Sequence, residues 1–279
     1  MAKLQSWEVS DRFWERVKPL IPRKQREEGR TYARRPGGGR KSLDARRVFE
    51  GIVYVLRTGC QWKALPKEVF GSPSAIHRYF REWEEAGLFL TLWKAGLAEY
   101  DEMEGIAWDW QSIDGAMTKA PLAQEAVGNN PTDRGKKRGS KRHLLVDARG
   151  VPLSLVVTGA NRHDVTRGEA VLDSCLGNRP ATGPGYSTQN LCADKGSFGV
   201  PAQAAMVSRG DVPHVVPRGQ ERDNKKKVPG YKARRWVVAA AHSWFNRFRK
   251  ILVRFEKTSA SYLALLYLAA AANTAIMQT

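Results

Sequence analysis

Residues 107–115 read AWDWQSIDG and residues 190–196 read NLCADKG. Each is a short, largely apolar run that ends on a carboxylate. Glycine follows at once in the first and one residue later in the second, so the chain can turn sharply at both places. The pattern predicts a strand over 107–113 that delivers Asp114 and a strand over 190–193 that delivers Asp194. Between them, 143–147 and 153–158 are apolar runs joined by Ala148-Arg149-Gly150-Val151-Pro152, a hairpin, and 164–176 reads as a helix. A helix over 200–209 and a strand over 212–216 complete the order β-β-β-α-β-α-β-α. That order is an α/β fold with a mixed five-stranded sheet in which only the first hairpins are antiparallel. The crossover helix returns the fourth strand beside the first, which places Asp114 and Asp194 side by side. Two such carboxylates repel unless a cation sits between them. Hard divalent metals with oxygen ligands suit that arrangement, with Mg²⁺ the default for phosphate chemistry.

A two-metal site for displacement at phosphorus normally has a third acid, and the sequence has a gap where one would be sought. A helix over 234–256 is predicted, with Val238, Ala241, Phe245, Phe248 and Leu252 as its apolar face. Beside that face runs a stripe of Ala239, His242, Ser243, Asn246, Arg249 and Lys250, in which Ala239 is the only alanine. The nearest acid in the helix is Glu256, about 25 Å further along at 1.5 Å per residue and on another face. Glu221 and Asp223 lie in the basic segment before it. The residues alone give a site with two acids and a gap.

The chain has 279 residues, enough for one large domain or two ordinary ones, and 42% hydrophobic residues, which exclude wholesale disorder. Its net charge of +18 argues for a polyanionic partner, most simply nucleic acid. Cys60, Cys175 and Cys192 lie far apart, which excludes a disulfide scaffold and a sequence-readable zinc site and fits a reducing cytosol. The N-terminus lacks a signal-peptide pattern, and the apolar run Tyr262–Ile276 is too short to span a bilayer, so it is expected to be a buried helix.

The first hundred residues read as helical. A helix over 1–21 is capped by Ser10 and ended by Pro22. The basic, glycine-rich stretch 23–41, with Arg34, Arg35, Arg40 and Lys41, is either a solvated linker or an arm on phosphates or in the minor groove. A helix capped by Ser42 or Asp44 runs through Arg57. Another starts at Ser72-Pro73 and shows Ser74, His77, Arg78 and Arg81 outward, either as a recognition helix or as ordinary packing. Arg134, Lys136, Lys137, Arg138, Lys141 and Arg142 read as a basic loop and the favoured phosphate contacts, with Lys225, Lys226 and Lys227 in a second basic loop over 218–235. Lys195 beside Asp194, and His242, Asn246, Arg249 and Lys250 on the polar stripe, are further candidate DNA contacts, with solvated surface as the alternative. His163 and Asp164 read chiefly as packing and a helix cap, with a supporting role near the DNA as the alternative.

Ordered blocks run through almost the whole chain: Trp62–Phe70, Arg78-Tyr79-Phe80, Ser112–Gly115, Asn130–Lys136, Lys141–Leu144, Gly159–Asp164, Ala193–Gly196, Arg235–Val238 and His242–Arg249. On these blocks the sequence resembles the DDE transposases of bacterial insertion sequences, in the insertion-sequence-five group. The resemblance implies an all-α, helix-turn-helix-type DNA-binding domain over 1–100. It implies a ribonuclease H-like catalytic domain over 101–279, with an Asp, Asp, Glu triad on two Mg²⁺ ions, for which Mn²⁺ may stand in. Asp114 and Asp194 match the aspartates. The glutamate is expected directly after Trp236-Val237-Val238, where this chain has Ala239. That is either a deliberate inactivating substitution or a natural loss.

The implied function is binding and pairing of the element's terminal inverted repeats, with Mg²⁺-dependent cleavage and strand transfer. It implies double-stranded DNA as partner, a homodimer or higher oligomer on DNA, no membrane, no small-molecule cofactor and a cytoplasmic location. The rivals are a non-catalytic helix-turn-helix regulator, for which matched aspartates at strand ends would be superfluous, and a hybrid-cleaving nuclease, for which the N-terminal helical unit would be superfluous.

Overall fold

The computed structural model describes residues 7–22, 29, 31, 41–162, 168–183, 185–194, 200–216, 218–227 and 234–277. Five helices come first. α1 (Asp11–Val17) starts where the Ser10 hydroxyl accepts the Phe13 amide at 3.3 Å. α2 (Ala45–Thr58) starts on Asp44, whose carboxylate accepts the Arg47 amide at 2.9 Å, and buries the stripe Val48, Phe49, Ile52, Val55 and Leu56. α3 (Lys67–Phe70) is a single turn, and α4 (Pro73–Glu85) has its proline in the first turn, as expected. α5 (Leu88–Glu104), not separately foreseen, is the longest of the five.

The sheet has six strands: β1 (Trp110–Lys119), the two-residue β2 (Gly128–Asn129), β3 (Arg138–Val146), β4 (Pro152–Gly159), β5 (Gln189–Asp194) and β6 (Asp211–Val216). β3 lies antiparallel between β1 and β4, β5 is parallel to β1, and β6 is parallel to β5. This is the mixed α/β arrangement expected, with β2 added at the tip of β3. α6 (Gly168–Asp173) and α7 (Val200–Ser208) make the crossovers. α8 (Arg218–Lys227), α9 (Trp236–Phe245), α10 (Arg249–Leu252) and α11 (Ser259–Met277) follow the last strand.

Four expectations need correction. β1 does not end at Asp114. It continues to Lys119 because its second half pairs with β3 from Ala116↔Arg142 to Lys119↔Gly139. The segment read as a basic loop over 134–142 is therefore strand from Arg138 onward, and 218–227 is helix rather than loop. The helix expected over 234–256 is broken. Phe248 is extended (φ −91°, ψ 99°), and after α10 the chain crosses to β1, where the Arg254 amide donates to the Lys119 carbonyl at 2.8 Å. Leu252, expected in the core, is consequently 43% exposed.

Alternation along the strands sends side chains to two cores. Leu144, Val146 and Leu155 join the larger one, which runs through α1, α2, α4 and α5 and on into α9, α10 and α11. Ile113, Leu145, Leu153, Leu191 and Ala193 face the smaller one with Val171 and Met206 of the crossover helices. α11 is buried as expected, and Trp93 of α5 stacks on its Tyr267 with ring centroids 5.5 Å apart. Among the described residues no helix is long and apolar enough to cross a membrane.

Gly59 shows how closely the N-terminal helices meet the C-terminal ones. It ends α2 at φ +72°, and a Cβ there would lie 2.9 Å from Arg249 Cβ and 3.0 Å from the Arg249 carbonyl carbon. Gly59→Ala should therefore lower unfolding free energy by more than the roughly 1 kcal/mol of the left-handed conformation alone. Urea unfolding of the two proteins measures the difference.

Candidate active site

Register brings the two aspartates level. Along the parallel β1–β5 pair the partners are Trp110↔Asn190, Gln111↔Leu191 and Ser112↔Cys192. Two residues further on each strand stand Asp114 and Asp194, on the same face, since side chains alternate with period two and strands lie about 4.8 Å apart. Both are partly exposed.

α9 crosses this face. The Ser112 hydroxyl donates to the Arg234 carbonyl at 3.1 Å and fixes where the helix starts. Arg235, already in helical conformation (φ −60°, ψ −27°), places a guanidinium nitrogen 3.2 Å from Asp194 Oδ2. Two turns on, His242 Nε2 lies 3.4 Å from the Asp114 carbonyl oxygen. Positions 235, 239, 242 and 246 share one helical stripe. Ala239 thus stands between the residue on Asp194 and the residue on Asp114, and it is exposed. Sequence reasoning gave Arg235 no role. Its position four residues before 239 was the available signal.

His242 was expected to contact DNA phosphate or surface. It is 6% exposed, and burial, followed by the charge of Arg142, pushes its imidazole down to about 3, so it is neutral at physiological pH. Arg142 is a buried strand residue, 4% exposed, and donates to His242 Nδ1 at 3.2 Å and to Asn246 Oδ1 at 2.9 Å. Lys141, 5% exposed, donates to the Arg162 carbonyl at 3.0 Å on the opposite face of the sheet. Lys250 is 5% exposed and pairs with Glu256 at 3.2 Å. Burial within the fold takes these four out of the solvent-facing set of DNA contacts expected for them.

Arg134, Lys136, Lys137 and Arg138 are exposed on and beside a tight turn closed by the Asn130 amide on the Lys137 carbonyl at 2.9 Å. Lys41, Lys226, Lys227, Asn246 and Arg249 are also exposed. On α4, Ser74 and Arg78 are exposed and His77 stacks on Trp62 at 4.8 Å. Arg81 stays 38% exposed, but its guanidinium is held 2.9 Å from Glu84 and in contact with the Ser261 hydroxyl of α11. Arg34, Arg35, Arg40, His163, Asp164, Lys195 and the side chain of Lys225 lie outside the described residues.

Two level carboxylates suit one hard divalent ion shared between them. Among the described residues no third His, Cys, Asp or Glu joins them in a group that could hold a metal. Arg235 occupies one oxygen of Asp194. The donors present therefore fit a single ion and leave a second without a protein ligand.

A family model of the transposase DDE domain matches residues 101–274. The chain belongs to the DDE transposase family. A second model, for transposases of the IS4/5 family, matches residues 9–93. The chain is 36% identical over 132 residues to a Burkholderia cepacia protein named as the transposase of insertion sequence element IS402, covering 47% of this chain and 60% of that protein. It is 28% identical over 124 residues to a 16.2 kDa protein of the same element, covering 44% of this chain and 80% of that one. The chain thus spans less than two thirds of the first relative's length. Among solved structures, a Mos1 transposase paired-end complex with its left transposon end overlays at TM-score 0.28 and 10% identity, covering 85% of this chain and 82% of that one. A likeness at that score carries no argument.

The buried His242 has a consequence for stability. Its folded-state pKa lies below the ordinary 6.5, so below about pH 6.5 the unfolded chain takes up a proton that the folded one refuses. Stability should fall from pH 7 to pH 5. In His242→Gln that part of the decline should be missing, as denaturant unfolding at a series of pH values would measure.

Proposed function

We propose that the chain binds and pairs the terminal inverted repeats of an insertion sequence through an N-terminal helical part, about residues 1–100. The part from 101 onward carries the site for cleavage and strand transfer. In this reading the chain as it stands binds ends but cuts and joins them poorly, because position 239 lacks its acid. The observation that carries the reading is the stripe on α9, with Arg235 on Asp194, His242 on Asp114 and residue 239 between them.

Asp114 and Asp194 would hold a divalent ion, Mg²⁺ or Mn²⁺, whose chemistry is to stabilise attacking and leaving oxygens at phosphorus. Arg235 would hold Asp194 in place beside a phosphodiester and offer it a positive charge. The exposed turn Arg134–Arg138 and the lysines of α8 would neutralise phosphates along the duplex. Arg78, exposed on α4, is the best-placed base-reading side chain. Pairing of two ends implies at least a homodimer on DNA, in the cytoplasm.

Ala239→Glu should switch on Mg²⁺-dependent nicking and joining of end DNA. Loss of a ligated metal costs several kcal/mol of barrier, so the gain should exceed about a hundredfold at 1.36 kcal/mol per factor of ten. Asp194→Asn in the restored protein should abolish it. A restored protein that stays inert on DNA it binds, or an alanine chain that already cuts at full rate, would contradict the assignment of 239. In footprinting, Arg78→Ala should reduce preference for the end sequence by roughly 1–3 kcal/mol. Unchanged preference would remove α4 as the reading element.

A further inference from the structure

Arg142 is a cation sealed inside the fold, held by His242 of α9 and by Asn246 just after that helix, with the Tyr262 side chain of α11 as a further hydrogen-bond partner. It shares the sheet face of Asp114, since Ala116↔Arg142 and Asp114↔Leu144 are cross-strand pairs. Its Nε donates to His242 Nδ1 at 3.2 Å, and its terminal nitrogen donates to the His242 carbonyl at 3.3 Å and to Asn246 Oδ1 at 2.9 Å. Its guanidinium also stands 5.4 Å from the Phe245 ring centroid. Burying a guanidinium is costly unless its donors are satisfied, so the position calls for an explanation.

The geometry supplies one. An arginine always donates, so His242 Nδ1 must accept and the ring proton must sit on Nε2. That proton faces the Asp114 carbonyl. One chain of contacts therefore runs from Arg142 through His242 to the backbone of the first aspartate, while a terminal nitrogen of the same fork holds Asn246. These anchors lie three and seven residues after 239, on its own stripe. α9 spans only Trp236–Phe245 and starts without a side-chain cap. Its apolar face, with Val238, Ala241 and Phe245, is held by contacts that are non-directional, whereas a planar fork fixes direction.

We infer that Arg142 is a positioning residue: it sets the rotation of α9, through His242 and Asn246, so that residue 239 faces Asp114 and Asp194. The inference rests on the reading of 239 as the third catalytic position.

The test has two arms. In the first, long-range proton–nitrogen NMR of the chain as it stands, with its five histidines and His242 assigned through His242→Gln, should show an unprotonated Nδ1 and a protonated Nε2. Arg142→Met should give a mixture of tautomers. In the second, in the Ala239→Glu background, Arg142→Met should slow joining at least tenfold with end-DNA affinity within twofold. Asn246→Ala, a change at an exposed side chain that leaves the core intact, should slow it severalfold. Asn246→Asp, which keeps the acceptor oxygen, should restore the rate.

A His242 tautomer that is mixed in the parent or unchanged in Arg142→Met overturns the inference, and so does loss of joining and affinity in parallel. If Arg142→Met does not fold, the parent tautomer and the Asn246 pair decide. If Ala239→Glu alone is inert on DNA it binds, the reading of 239 has failed, and the spectra still decide whether Arg142 braces α9.

Discussion

The pairing of β1 with β5 is the constraint on which the site depends. Because the strands run parallel with Ser112 opposite Cys192, Asp114 and Asp194 come level on one face. A slip of one residue would send one carboxylate into the smaller core. The antiparallel pairing of β1 with β3 then sets what surrounds them: Leu144 opposite Asp114, and Arg142 one step away on the same face. The sheet thus supplies two acids and a buried cation before any helix is placed.

α9 completes the arrangement by touching each strand at a different level: Ser112 and Asp194 near its start, Asp114 and Arg142 near its end. The charges are distributed to match. Arg142 and Lys250 are used inside the fold, whereas Arg134, Lys136, Lys137 and Arg138 remain in solvent. The net charge of +18 is therefore partly structural and partly available to a polyanion. Exposed cations contribute chiefly to long-range attraction and salt-dependent binding.

Much of this was legible in the sequence, and the exceptions have a common cause. An apolar run leading into a carboxylate, with glycine close behind, pointed to Asp114 and Asp194, although β1 itself continues past Asp114 to Lys119. Capping residues located α1, α2 and α4, and the apolar C-terminal run located α11. What could not be read was the fate of polar side chains with partners distant in sequence. Lys141 and Arg142 read as loop because charge normally marks surface, and partners such as the carbonyl of Arg162, the ring of His242 and the amide of Asn246 make their burial affordable. Arg81 read as facing DNA because Ser261 lies 180 positions away. Likewise, the break after α9 follows from Val253 meeting Lys119 across the fold, which no local pattern announces.

The central claim is that residues 114, 194 and 239 form one site. The most direct measurement is a crystal structure of the Ala239→Glu protein on end DNA with Mn²⁺, located by its anomalous scattering. The account predicts manganese between Asp114, Asp194 and the new carboxylate, with Arg235 moved off Asp194. Manganese bound elsewhere, with Arg235 still on Asp194 and the side chain at 239 turned to solvent, would contradict it.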